Sequence, residues 1–351
     1  MRAVSNPPSP WNTVHAEWLG EPPTAQLEVF EEKARTILAE NDSPDVGFRF
    51  SVNPYRGCFH ACSYCFARPT HQYLDWGAGT DFERKIVAKV NAPGLLRREL
   101  ARRSWKGDTI VFSGVTDCYQ PLEAVYKLTR RCLEVCLEHR NPIGIVTKGA
   151  LARRDAELLG ELARRAAARV FLSIPFADDA TARAVEPNAA PPSARFETLA
   201  ALTRAGVPTG VGLAPVIPGL NDSDIPKVLA RARKAGADRA FLTLLRLPAE
   251  TLPVFEERLQ ESFPLRAQKI LHAIEEVRGG RRNDSRFGSR MHGAGPRWEA
   301  IERVFDVETR RLGFRDDSDD VPRSSSHIRS PRQPGLFDLD PLDNEKYLTK
   351  K

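Results

Sequence analysis

Three cysteines, Cys58, Cys62 and Cys65, fall within eight residues in the segment 53-NPYRGCFHACSYCFARPTH-71, spaced C-x3-C-x2-C. A loop that short can wrap three thiolates around one inorganic centre. Iron–sulfur clusters are held by closely spaced cysteine thiolates, normally four. No fourth cysteine follows in the loop, so one iron of such a cluster would lack a protein ligand. An external amine and carboxylate can fill that vacancy. A structural zinc site is the alternative, and it requires a fourth ligand, with His60 or Cys118 completing the set. A disulfide is disfavoured by the odd count and by a reducing compartment. Cys132 and Cys136 share one apolar helix face with Val125, Leu128 and Val135, so they read as core and not as a second cluster.

Such a loop needs a rigid frame, and the chain supplies one in short apolar runs that alternate with amphipathic stretches. Strands are expected at Phe48–Val52, Thr109–Phe112, Ile143–Thr147, Val170–Ile174, Thr209–Leu213 and Ala240–Leu245. Helices are expected at Leu122–His139, Ala152–Ala167, Ala194–Ala205 and Ser223–Ala235, with Gly206 and Gly236 ending the last two. Six β–α units argue for a parallel α/β sheet and are too few for a full eight-unit barrel, so a partial (β/α)6 TIM-like barrel fits best. A doubly wound sheet is the competing fold. The organisation reads as a mostly irregular N-terminal extension at 1–45, with a helix near Ala25–Leu38, then the partial barrel at 46–250. A helical and Arg/Gly-rich extension follows at 251–314, closing with a helix to about Leu312, and then a disordered tail at 315–351. No apolar run is long enough for a membrane span, and the first residues lack the pattern of a secretory leader. A cytoplasmic location without membrane contact is expected.

The cysteine loop resembles the C-x3-C-x2-C signature of radical S-adenosylmethionine (SAM) enzymes, with aromatic Tyr64 before the third cysteine. Its flanks, together with NDSPDVGF (41–48), SGVTDCYQP (113–121), IVTKG (145–149), APVIPGLND (214–222) and LLRLP (244–248), are similar to the spore photoproduct lyase-like branch, also called DNA-repair-photolyase-like. The resemblance covers about residues 41–314. It implies a [4Fe–4S] cluster on Cys58, Cys62 and Cys65, reductive cleavage of SAM to methionine and a 5′-deoxyadenosyl radical, and an electron donor of flavodoxin or ferredoxin type. It places Ser113, Gly114, Thr116 and Asp117 where the family binds the methionine amine, though Asp117 could equally be a plain helix cap. It sets Lys148 at the cofactor carboxylate and Ser173 at a carboxylate or ribose. Glu186 and Arg195 could pair beside the ribose, or form an ordinary ion pair. Cys118 replaces the proline of many relatives; a thiol at the barrel mouth could donate a hydrogen atom to a product radical, with Tyr119 in the same relay, or simply fill space. Asn188 stands where relatives carry arginine.

The substrate side is read from charge. The net charge is +6, yet residues 1–45 are −5 and residues 315–351 are −1, which leaves +12 on residues 46–314. A basic body suits a polyanionic partner, DNA or RNA first, although a solvated Arg-rich surface has the same composition. The segment 277–297 holds six arginines and five glycines and could follow a phosphate backbone or cap the barrel mouth. In the tail, Gln333-Pro334-Gly335-Leu336-Phe337 resembles the short motif that docks repair proteins on a sliding clamp. Three functions follow: a radical SAM enzyme acting on nucleic acid as in lesion repair, one modifying a peptide or small metabolite, or a zinc-bearing nucleic-acid-binding module.

Overall fold

Runs such as Ile143-Gly144-Ile145-Val146-Thr147 alternate buried and half-buried positions, the period of a strand with one face on a core. The structure is a computed structural model and describes residues 26–315; Gln333–Phe337 lies outside the described residues. Its strands are β1 (Glu28–Glu32), β2 (Leu38–Glu40), β3 (Phe50–Val52), β4 (Tyr55–Arg56), β5 (Lys85–Lys89), β6 (Ile110–Phe112), β7 (Ile143–Thr147), β8 (Ala168–Ser173), β9 (Thr209–Val216) and β10 (Arg239–Leu244). Seven form one sheet in the order β10-β9-β8-β7-β6-β3-β2. Every neighbouring pair from β3 to β10 is parallel, and β2 runs antiparallel at the edge. Spatial order follows chain order without a reversal. A doubly wound sheet reverses its order at a switch point, so the fold is a partial barrel with six parallel strands. Its edges, β2 and β10, do not pair.

The main core lies between the sheet and its helices. Val170, Leu172, Val211 and Leu213 meet Leu159, Leu162, Leu199, Leu202, Val228 and Leu229 there. The helix Leu128–Glu138 turns Cys132, Leu133, Val135 and Cys136 into this layer, which makes the two cysteines packing residues. The opposite face of β8–β10 is filled differently. Any side chain at Gly210 or Gly212 would strike the Phe171 or Phe241 ring within 2.5 Å, and those rings meet edge to face at 5.2 Å.

Three expectations change. The stretch expected to hold a helix at 25–38 gives β1 and β2 instead: β1 lies parallel to β5 in a second, three-stranded sheet, and β2 joins the main one. The expected helix Leu122–His139 breaks at Lys127, whose φ of 53° separates Glu123–Tyr126 from Leu128–Glu138. The Arg-rich segment after the helix Ala267–Val277 is a strap. Leu244 N–H donates to Met291 O (3.1 Å), and at its other side Gly288 N–H donates to Asp45 (2.6 Å), with Arg290 pairing to Asp45 and bonding Ser43. It thus runs from β10 at one sheet edge to the turn before β3 near the other. Among the described residues no helix is long and apolar enough to cross a membrane.

Candidate active site

Parallel strands end on one side of the sheet, so the segments after β3, β6, β7, β8, β9 and β10 converge there. The cysteine loop follows β3. Gly57 takes φ +73°, where a side chain would also crowd His71, Ile86 and the Lys85 carbonyl at 3.0 Å. The Gly57 carbonyl accepts from Thr116 Oγ1 (2.6 Å) and Gln120 Nε2 (3.2 Å), and Gln120 Oε1 accepts the Phe59 N–H (2.9 Å). The β6 turn therefore grips the entry to the loop.

The loop's other side rests on Arg68, a fully buried cation. It donates to the carbonyls of Cys62 (2.8 Å), Ala78 (3.0 Å) and Gly79 (3.1 Å) and pairs with Glu83 at 2.5 Å. Asn188 Nδ2 donates to Phe59 O (2.9 Å), and Ser63 N–H donates to Val185 O (2.9 Å), which closes a third side from the segment after β8. So Asn188 in the arginine's place holds the loop backbone.

The three thiols fit a cluster. Cys58 and Cys62 are buried and Cys65 is half-buried. Cys65 packs against the apolar groups of both others, and each of Cys62 and Cys65 is influenced by its neighbours' charge. Burial, with the neighbouring sulfurs, pushes Cys65 up to about 11 and Cys62 well above the ordinary thiol range. Ligation by these thiols requires their deprotonation, so binding a metal centre would release protons. Among the described residues no three His, Cys, Asp or Glu side chains are gathered tightly enough for a single metal ion, whereas a cluster spreads its thiolates over separate irons. His60, offered above as a fourth zinc ligand, faces Asp117 at 3.4 Å.

Beside Cys65 lies a buried polar chain. Tyr64 Oη donates to Glu186, Glu186 pairs with Arg195, and Arg195 Nη1 donates to Ser173 O (2.9 Å). Lys148 Nζ stands 4.0 Å from Glu186 and 5.6 Å from the Tyr64 ring centre. Burial pushes the Glu186 carboxyl up, and the Arg195 guanidinium opposes it. Tyr64, Lys148, Ser173, Glu186 and Arg195 thus adjoin one another in one group.

The β6 turn is a strut more than a rim of free donors. Asp117 accepts from Thr147 Oγ1 (2.6 Å), Lys148 N–H (2.7 Å) and Tyr119 N–H (2.9 Å). Burial works against its charge, but His60 and these donors hold the carboxyl well below the usual range. Ser113 sits at φ 78° and accepts the Cys118 N–H (3.0 Å), while a side chain at Gly114 would press on Ser51 and Asn53 at 3.2–3.3 Å, closer than ordinary contact. Cys118 and Tyr119, expected at the barrel mouth, are placed elsewhere. Both side chains are buried in the main core, because the Ser113 turn and Thr129, which donates to Cys118 O (2.6 Å), point them inward. Arg68, Gln120 and Asn53, whose Oδ1 accepts the Val115 N–H (2.9 Å), were not foreseen; each works through backbone carbonyls or amides and leaves no local sequence mark.

Comparison with known proteins agrees with this geometry. Uncharacterised proteins of Mycobacterium tuberculosis are 40% identical over 206 residues, 58% of this chain and 61% of theirs; the match thus spans under two thirds of those relatives. One from Methanocaldococcus jannaschii is 29% identical over 56% of this chain and 71% of its own. A spore photoproduct lyase complexed with dinucleoside spore photoproduct shares the fold at TM-score 0.57 and 15% identity, covering 84% of this chain and 85% of that one. Residues 52–232 match the Radical SAM superfamily. With a three-cysteine loop at the strand ends of a partial barrel, the chain belongs to that superfamily, whose members use a [4Fe–4S] cluster and SAM.

Proposed function

We propose that this radical SAM enzyme acts on nucleic acid, with a DNA lesion as the substrate class. The observation that carries the reading is the +12 charge of residues 46–314, set on a fold shared with spore photoproduct lyase. A polyanion is the natural partner of such a body.

In this reading Cys58, Cys62 and Cys65 hold the cluster and leave one iron to the amine and carboxylate of SAM. The cofactor, when bound, supplies a carbon radical through one-electron cleavage, using an electron from a flavodoxin- or ferredoxin-type donor. The protein's part is to bind and orient. Lys148 would neutralise the cofactor carboxylate. Ser113, Thr116 and Asp117 already spend their side chains on the Cys118 amide, the Gly57 carbonyl and the Thr147–Lys148 segment, so this turn would offer its backbone, near Gly114, to the amine. Glu186, fixed by Arg195 and Tyr64, would hold the ribose side, with Ser173 behind it. The tail motif Gln333–Phe337 would dock on a sliding clamp; deletion of residues 331–351 should then abolish clamp binding.

The test incubates reconstituted enzyme with reductant, SAM and labelled ultraviolet-damaged DNA. Repair, or transfer of label into 5′-deoxyadenosine, is the expected result. Failure to bind DNA in a salt-dependent way would remove the reading and favour a peptide or small-metabolite substrate.

A further inference from the structure

The strap 278–297 looked like a phosphate track in sequence, but most of its arginines are already engaged. Arg278 is buried and donates to the carbonyls of Leu245, Ser289, Arg290 and His292. Arg282 pairs with Glu256 and Glu275, and Arg297 with Glu276. Arg278 builds the strap from within, and Arg282 and Arg297 tie it to the neighbouring helices at the surface.

What the strap carries to the cysteine loop is different. Arg246, the residue two past β10, lies over the ring of Phe66, which directly follows Cys65; the separation is 5.7 Å. Arg290 of the strap lies over the ring of Phe287 at 4.3 Å. Both rings stay open to solvent, Phe66 at 49% and Phe287 at 62% exposure. Arg246 and Arg290 are close enough to act on each other's charge, and Arg246 likewise acts on Arg278. Around this point four guanidiniums, Arg246, Arg278, Arg286 and Arg290, meet two carboxylates, Asp45 and Asp284. The local balance is positive at the place where open aromatic faces stand beside the cluster loop.

We propose that Phe66, Arg246 and Phe287 form a ledge that holds single-stranded DNA at the mouth of the site, bases on the rings and phosphate on the Arg246 guanidinium, while Arg290, held by Asp45 and Ser43, backs the Phe287 ring. The proposal rests on the nucleic-acid reading above. Exposed rings give sequence-tolerant stacking and arginines give charge, the two elements of single-strand recognition. An enzyme whose reacting centre lies within a barrel needs its nucleotide out of a duplex stack, and an unstacked strand offers the base faces that such rings take.

The test measures anisotropy of a short fluorescein-labelled oligothymidylate with anaerobically reconstituted enzyme at two salt concentrations. Phe287→Ala and Arg246→Gln should each weaken binding about tenfold, and Arg246→Gln should also flatten the salt dependence. Arg164→Gln, an exposed arginine on the helix that leads into the opposite end of β8, should bind as the wild type does. Iron and sulfide content and the unfolding midpoint report whether each variant is intact; Phe287 lies far in sequence from the cysteines, so it decides if Phe66→Ala loses the cluster. Wild-type affinity in both Phe287→Ala and Arg246→Gln overturns the ledge, as does an equal loss in Arg164→Gln. Displacement of the oligonucleotide by polyglutamate as readily as by unlabelled DNA would assign the surface to an acidic protein instead. A wild type that binds no oligonucleotide overturns the nucleic-acid reading itself, a result distinct from bound DNA with indifferent variants.

Discussion

Tyr64 donates its phenolic hydrogen to Glu186 across 122 residues of chain. Tyr64 belongs to the cysteine loop and Glu186 follows the helix Asp179–Val185, so this contact sets the loop against the fourth β–α unit. Arg195 completes it by pairing with Glu186 and bonding the carbonyl of Ser173. All three side chains are buried, so the group is worth most intact and is costly to break in part.

Glu186→Ala should leave the Arg195 charge buried without its partner and destabilise the fold by about 3–5 kcal/mol. Removing both charges, as Glu186→Leu with Arg195→Met, should restore much of that loss, because an uncompensated charge no longer stays inside. Urea unfolding of the single and double variants measures both. A double variant no more stable than Glu186→Ala would show that the pair acts through shape instead of charge.

Five of the six cysteines should divide into two groups. Alanine at Cys58, Cys62 or Cys65 should abolish iron and sulfide incorporation and SAM cleavage. Alanine at Cys132 or Cys136 should leave iron content intact and lower stability by about 1 kcal/mol, the scale of a small deletion in a packed core. Iron assay together with thermal unfolding separates the groups. Iron lost from Cys132→Ala in a folded protein would contradict this division.

The proposed division is legible because closely spaced thiols leave a local mark, three within eight residues, and core cysteines leave another, a place on an apolar helix face. The six parallel strands were legible for the same reason, since runs such as Val170–Leu172 contrast with their amphipathic neighbours. β1 was not. Glu28–Glu32 and the residues after it carry Glu, Lys and Ala at helical spacing, and only pairing with β5, more than fifty residues away, makes a strand of them. Cys118 was misplaced because the motif showed a cysteine after a strand but not the positive φ of Ser113 that turns it into the core. The strap's arginines were counted correctly, yet composition does not say that Arg278 is spent on four carbonyls.

Arg68 should prove as important to the cluster as a ligand while touching none of its iron. Arg68→Lys keeps the charge but loses the planar fork that reaches the Cys62, Ala78 and Gly79 carbonyls together. It should fold, bind iron more weakly and release it faster under chelator. Arg68→Met should cost more, about 3–5 kcal/mol, since Glu83 is left buried and unpaired. The chelator release rate, read by loss of visible absorbance, distinguishes the two; equal release from Arg68→Lys and wild type would mean the fork is dispensable.

His71 should make the fold sensitive to acid. It is buried between the rings of Trp76 and Phe82, with centres 5.1 and 5.6 Å away, and burial pushes its pKa from 6.5 down to about 4. The folded state therefore favours the neutral ring, while the unfolded chain takes up a proton near pH 6.5. Between those values the unfolded state binds more protons, so stability rises with pH. The contribution is complete above pH 6.5 and is lost as pH falls toward about 4, amounting to about 3 kcal/mol across the window. His71→Leu keeps an apolar filler and cannot take up a proton, so its stability should vary less with pH across this range than the wild type's. Denaturant midpoints taken at intervals from pH 7 to pH 4 give the comparison, and parallel curves for the two proteins would assign the acid sensitivity to other groups.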